Sequence, residues 1–311
     1  MRTEQEYIYM VYQKGSFSKA AQALYLTQPA LSNAIQKVEN EIGMPLFDRS
    51  QKPLGLTEAG HIYIEKLKQL QILENELQNQ LLDLASVNVG NVRIGATSYL
   101  LSCILPPILM RYKKKYPGVT LDIVEVGSYE LREMLRDQRL DITFVSQLSK
   151  ELPFTAYPAF QDRLLLAVPA ELEVNERLAG VALTCKDVLA GRHLSDDCPS
   201  VDLRLFEDVP FILLESKYDL RRRTDSFFQE AGIKPNVSME VTQIVTSYAL
   251  VQAGLGAAFI PDKSVVRNQS DTVFYKLSYP KVIRDMKIVT NNKSYISFAV
   301  QHFIEMFRTK D

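Results

Sequence analysis

The stretch GSFSKAAQALYLTQPALSNAIQKVENEIG, Gly15 to Gly43, carries apolar residues at helical spacing but breaks at Tyr25-Leu26-Thr27. Thr27 is a good N-cap, and Pro29 falls in the first turn, where a missing N–H costs nothing. A second helix is therefore expected from Gln28 to Ile42, closed by Gly43. Leu31, Ile35 and Val38 would form its buried face and turn Gln28, Ser32, Asn33, Gln36 and Lys37 outward. The preceding helix, Ser18 to Leu24, is short and alanine-rich enough to pack closely across it. Such a pair makes a helix-turn-helix whose second member reads base edges. A small helical core with a solvated polar face would show the same periodicity.

Charge favours the first reading locally. The whole chain has a formal net charge of -1, yet no acidic residue lies between Glu6 and Glu39, while Lys14, Lys19 and Lys37 do. A face meant for phosphate thus lacks like-charge repulsion. Arg49 and Lys52 follow in a loop that can act as a wing toward backbone or minor groove. Glu39 and Glu41 count here among the acids that offset the basic residues of the first ninety or so positions.

The 311 residues exceed what one small core organises, so two or three domains are expected. From Thr57 a long helix is predicted, with no Gly or Pro between Gly60 and Gly90. Its residues Tyr63, Leu67, Leu70, Leu73, Leu77, Leu81 and Leu84 step by three or four and form one stripe. The stripe packs either inside its own subunit or against a second copy; its length and its place between two textures favour the copy. Beyond VNVGN, runs such as NVRIGA, VTLDIVEV, LDITFVS, RLLLAVP, VPFILLE, AAFIP and MKIVT alternate with helical segments, which predicts parallel sheets with helices on their faces. Two lobes suit this length, with DRLLLAVPAEL as the first crossing between them. The cleft between the lobes would be the default small-molecule site.

The N-terminus lacks an apolar signal core and no run reaches the roughly 18 apolar residues of a membrane span, so the protein is read as cytoplasmic. Cys103, Cys185 and Cys198 form no CxxC pair, and no metal-ligand spacing or nucleophile motif is present. No metal, cofactor or catalytic activity is expected.

The segment GSFSKAAQALYLTQPALSNAIQKVENEIGMPLFDRS, followed by LTEAG and a long helix, resembles the LysR-type transcriptional regulators. Ala20-Ala21, Leu24, Ser32, Ile35, Glu39, Gly43, Pro45, Leu46-Phe47, Arg49, Leu56-Thr57 and Ala59-Gly60 carry the likeness. ILPPILMRYKKKYPGVTLDIVEVGSYELREMLRDQRLDITFV and VTSYALVQAGLGAAFIP continue it in order. The resemblance implies an N-terminal winged helix-turn-helix (1–58), a linker and dimerisation helix (59–88) and a two-lobed α/β effector domain like a periplasmic binding protein (89–311). Its first lobe would be about 89–162 plus 268–311 and its second about 163–267. The implied partners are operator DNA, a small-molecule effector and further copies in a homodimer or homotetramer. The resemblance further implies that Ser16 and Ser18 lie near the DNA backbone, that Gln28, Pro29, Ser32, Asn33 and Gln36 face the groove, and that Arg49 lies in the wing. Lys37 is expected to contact phosphate.

Two departures stand out. Asn33 replaces an arginine frequent in the family, and LAGRHLSDDCPSVDLRLFEDVPF looks longer than the usual connection, so that His193 and Cys198 belong to a sensor element or to a surface insertion. For the effector, VRIGA ends at Thr97-Ser98 and LDIVEV at Gly127-Ser128, each before a helix start that favours a negative group. Thr97, Ser98 and Ser128 are therefore expected to hold a compact anion or carboxylate, with Thr246, brought in by the resemblance, sensing closure. The alternatives are a redox response through Cys185 and Cys198, a freestanding solute-binding module, and hydroxyls that merely cap helices. Arg221-Arg222-Arg223 reads as a solvated helix face, because successive residues point about 100° apart.

Overall fold

The computed structural model describes residues 3–50, 53–84, 89–148, 153–265 and 271–308. It divides into two compact units, Met1–Ala85 and Ser86–Asp311.

In the first unit, α1 (Thr3–Lys14), α2 (Phe17–Ala23) and α3 (Gln28–Ile42) are followed by a hairpin of β1 (Phe47–Asp48) and β2 (Gly55–Leu56) and by α4 (Glu58–Leu84). Ile8, Val11, Ala20, Ala21, Leu31 and Ile35 form the core with Leu46 and Phe47 of the hairpin segment. Ile64 and Leu67 of α4 join that core, so the helix's first turns belong to the DNA-binding body expected to stop at residue 58. Gly60 explains the close fit, because a Cβ there would lie 2.0 Å from the Leu46 carbonyl oxygen. Beyond Leu67 the leucines leave the core: Leu70 is 44% exposed, Leu77 58% and Leu84 81%. The two readings of the stripe thus divide at Leu67, with Tyr63 and Leu67 packed internally beside Ile64 and the leucines from Leu70 onward free to meet another surface.

The second unit contains two lobes. In the first, β3 (Val89–Ala96) pairs in parallel with β4 (Gly118–Glu125), joined by a π-helical turn (Leu100–Ile104) and α5 (Leu105–Lys115). Pro106 and Pro107 supply no N–H to the carbonyls one α-turn back, and the wider turn lies just before them. α6 (Ser128–Arg136) leads to β5 (Thr143–Val145), connected to β3 through the parallel bridge Ile94–Ile142. The strand β6 (Phe154–Pro169) then runs through both lobes.

The second lobe continues with α7 (Val174–Arg177), α8 (Cys185–Leu189), β7 (Pro210–Leu214), α9 (Asp219–Ala231), β8 (Asn236–Val241), α10 (Ile244–Gln252), β9 (Ala258–Pro261) and β10 (Thr272–Lys276). The chain returns through β11 (Ile283–Asn291) and α11 (Phe298–Glu305). β7 and β8 are parallel, as predicted, but β9 and β10 run antiparallel to the far half of β6, and β11 runs antiparallel to its near half. The sheets are therefore mixed, not parallel throughout. The crossing at DRLLLAVPAEL falls within β6, at Asp162–Leu164, where its partner changes from β11 to β9.

The return was expected at 268. Thr272–Lys276 still pairs with Leu165–Pro169 in the second lobe, so the return lies after Lys276 and before β11. The segment 190–207 is not a surface insertion either: Val201, Leu203 and Phe206 are buried in the second-lobe core, and the Val201 N–H donates to the Lys276 carbonyl at 2.8 Å.

Candidate functional site

α3 owes its ends to the residues singled out in the sequence, whereas α2 begins at Phe17, one residue before the expected Ser18, because Ser16 caps it. The Ser16 hydroxyl accepts the Lys19 N–H, and the Thr27 hydroxyl accepts the Ala30 N–H, each at 3.4 Å. Gly43 closes α3 at φ +77°. In the turn between the helices Tyr25 adopts φ +56°, unusual without glycine, with its ring exposed. Leu31 and Ile35 are fully buried and Val38 partly so, which leaves Gln28, Pro29, Asn33, Gln36 and Lys37 exposed and Ser32 half-buried. Asn33, Gln36, Lys37, Asn40 and Glu41 together line a shallow groove. Ser18 is exposed and Ser16 half-buried.

Glu39, counted in the sequence among the acids that offset basic charge, has a structural role. It is buried, and its Oε1 accepts the N–H groups of Leu46 at 2.7 Å and Phe47 at 3.3 Å, so it ties α3 to the hairpin. Its spacing of four from Ile35 and eight from Leu31 puts it on the inner face, but only the hairpin folding against that face supplies the donors that let it be buried. Arg49 contacts the other carboxylate oxygen at 3.4 Å and lies 5.0 Å over the Phe17 ring while staying half exposed. This holds the root of the wing. Lys52 lies outside the described residues.

The lobe cleft closes on a cavity of about 70 Å³. Thr97 and Ser128 line it, joined by Ser146, Thr242 and Gln243, none of which the sequence singled out. Ser98 does not line it. Its hydroxyl donates instead to Glu125, the residue opposite Ala96 on the neighbouring strand. Thr246 is exposed and also off the wall, because Gln243 and Ile244 at the start of α10 face the cavity and two further residues rotate the side chain by about 200°. The starts of α6, α9 and α10 all border the space.

Beneath the cleft lies a buried polar network. Arg284 donates from Nε to Asp162 Oδ1 and from Nη2 to Asp162 Oδ2, each at 2.6 Å. The Tyr99 hydroxyl donates to Asp162 at 2.7 Å. Burial and the adjacent Asp162 charge push the Tyr99 hydroxyl far above its ordinary range, so it remains a donor. Across the cleft mouth Arg132 of α6 pairs with Asp219 of α9 at 2.6 Å. A Cβ on Gly127 would lie 2.6 Å from the Tyr218 ring, so glycine permits this approach of the lobes.

The arginine triple is not a purely solvated face. Arg221 bonds Asp225, Glu240 and the Leu214 carbonyl, and Arg222 bonds Asp219. Arg223 is buried and donates to the Lys281 carbonyl at 2.6 Å, bracing the return crossing. Cys185 and Cys198 are buried and form no disulfide, unlike the exposed thiolates of redox sensors. His193 is buried with Nε2 2.9 Å from Asp262 Oδ2. Among the described residues no group of His, Cys, Asp and Glu could hold a metal ion, and no helix is long and apolar enough to cross a membrane.

Residues 4–61 match the bacterial regulatory helix-turn-helix proteins of the lysR family, and residues 85–311 match the LysR substrate binding domain. YybE, an HTH-type transcriptional regulator of Bacillus subtilis (strain 168), is 27% identical over 96% of this chain and 98% of its own length. Among solved structures, full-length CbnR complexed with its target DNA superposes with a TM-score of 0.66 at 19% identity, covering 98% of both chains. Full-length OxyR from Pseudomonas aeruginosa superposes at 0.65 and 22% identity over 99% of this chain and 98% of that one. Both share the fold.

Proposed function

The chain belongs to the LysR family of transcriptional regulators, and from that premise we propose that it binds operator DNA in the cytoplasm through α3 and changes its DNA-bound state when a compact anion enters the lobe cleft. The observation that carries the DNA reading is the division of α3: Leu31 and Ile35 are fully buried while Gln28, Asn33, Gln36 and Lys37 are exposed. Amide side chains bond base edges in the major groove, and Lys37 neutralises phosphate. Ser18 and Arg49 contact the backbone beside them. Two copies pair through the leucines of α4 and present two reading helices to two half-sites, with further assembly to a tetramer.

The anion reading is supported by the hydroxyls of Thr97 and Ser128 and by helix starts whose free N–H groups favour negative charge, while the charge of Arg284 in the wall is already met by Asp162. Ser98 acts behind that wall by fixing the Glu125 end of β4, and Thr246 lies exposed outside it. Binding alters operator affinity only by the effector's differential affinity for the two lobe arrangements. Footprints on genomically enriched sites test the proposal. Gln36→Ala should lose protection at specific base pairs, and Thr97→Val should abolish the ligand-dependent change in footprint while ligand-free binding persists. Unaltered footprints in Gln36→Ala would refute the reader assignment.

A further inference from the structure

We propose that a second small-molecule site lies at the lobe junction beside His193, and that it takes a carboxylate with an aromatic or branched aliphatic body. The site is separate from the cleft and shares no lining residue with it. Its cavity of about 500 Å³ falls within the roughly 300–1,000 Å³ of ligand pockets. Cys103, Ile104 and Phe160 wall it from the first lobe, and Val188 and Leu194 from the second. These surfaces require an apolar body. Leu189 and Leu194, 46% and 50% exposed, lie at the same site and would be covered by one.

The polar end of the cavity sets the ligand's charge. Asp262 is fully engaged: Oδ2 meets His193 Nε2 at 2.9 Å, while Oδ1 accepts the N–H groups of Arg163 at 3.1 Å and Lys263 at 2.8 Å. The Lys263 side chain lines the cavity, is exposed, and forms no ion pair among the described residues. It is the group that a carboxylate would meet. His193 lines the same cavity at 3% exposure and is held by Asp262 through Nε2, so it shapes the wall while Lys263 meets the ligand's charge.

The two cavities meet at one element. In the π-helical turn, Leu100 lines the cleft while Cys103 and Ile104 line the second cavity. Occupancy of a junction walled by both lobes selects among their arrangements, so each ligand changes the other's affinity by the same factor.

Cys103 provides the readout, because it is the partly exposed thiol while Cys185 and Cys198 are buried. The full-length protein is alkylated with N-ethylmaleimide, with 3-phenylpropionate as probe and 3-phenylpropanamide as its uncharged control, and each cysteine peptide is followed by mass spectrometry. At about ten times its Kd the acid should slow Cys103 modification roughly tenfold. The amide should protect less, Lys263→Gln should remove the acid's advantage over the amide, and protection should persist in Thr97→Val. Equal Cys103 rates with and without probe overturn the site, as does protection that Lys263→Gln leaves intact or Thr97→Val abolishes. Failure of the cleft proposal would appear instead as an effector response surviving in Thr97→Val, which this measurement does not use.

Discussion

Replacing Asp162 with Asn isolates the charge beneath the lobe crossing. The Arg284 and Asp162 side chains are 7% and 0% exposed, and they face each other in register across β11 and β6. Two bonds of 2.6 Å and the Tyr99 hydroxyl at 2.7 Å satisfy the carboxylate. Removing one partner from a buried pair costs about 3–5 kcal/mol, since the other charge stays desolvated. Asparagine keeps the shape and one acceptor oxygen, which puts the loss near the lower end, about 3 kcal/mol. For a unit of this size each kcal/mol lowers Tm by roughly 2–4 °C, so a fall of about 6–12 °C is expected. Arg284→Met should cost about as much, by leaving the carboxylate bare. The double variant Asp162→Leu/Arg284→Met removes both charges and should recover most of the loss. Urea titrations followed by circular dichroism, with separate transitions fitted for the two units, give the cycle. Single losses under about 1 kcal/mol, or a double variant as unstable as the sum of the singles, would refute the argument that desolvated charge governs this site.

Lys37→Ala should weaken binding to all DNA sequences and reduce the salt slope by about one, while Gln28→Ala should cost about 1–3 kcal/mol at particular base pairs; gel shifts across salt separate the two, and a reversed pattern would exchange their roles. Leu70→Ala/Leu77→Ala, at positions 44% and 58% exposed, together removes about one full leucine burial per subunit. At about 1.5–3 kcal/mol per leucine, both subunits lose about 3–6 kcal/mol, enough to dissociate the dimer about a hundredfold or more sooner on dilution in sedimentation. An unchanged mass distribution would place the pairing surface elsewhere. Burial pushes the Asp262 carboxyl up, but the His193 hydrogen bond and the Arg163 N–H outweigh it and hold the group below its ordinary 3.8. Its stabilisation is therefore complete above that value and lost as pH falls below it. Asp262→Asn should flatten this part of the acid limb of stability, and an identical acid limb would show that the Asp262 carboxyl does not titrate with unfolding.

Much of the reader was legible because its signals are local. Thr27, Pro29 and Gly43 act within one turn of the helix ends they set, and Leu31 and Ile35 repeat at the helical period. Most strands were legible as short apolar runs. β8 and β10 escape that pattern: β8 is a mostly exposed edge strand with polar residues, NVSMEV, and β10, TVFYK, has a single aliphatic residue and polar residues at both ends. The near half of β6 was also missed, because FTAYPAFQD is half-exposed and lacks the dense apolar run of LLLAVP.

The sequence by itself determined the helix boundaries around Gly15–Gly43, the long helix after Thr57 and the division into a helical and an α/β region, since each rests on contacts between near neighbours in the chain. Tertiary structure alone decided that Glu39 is a buried tie, that Arg223 braces a crossing rather than facing water, that Ser98 serves Glu125 and not the cleft, and that Asp162 meets Arg284 across a separation of 122 residues. The reason is physical. A charged side chain's surroundings depend on which strand or helix folds against it, and a buried ion is tolerated only where that distant element brings its counter-charge within hydrogen-bonding distance.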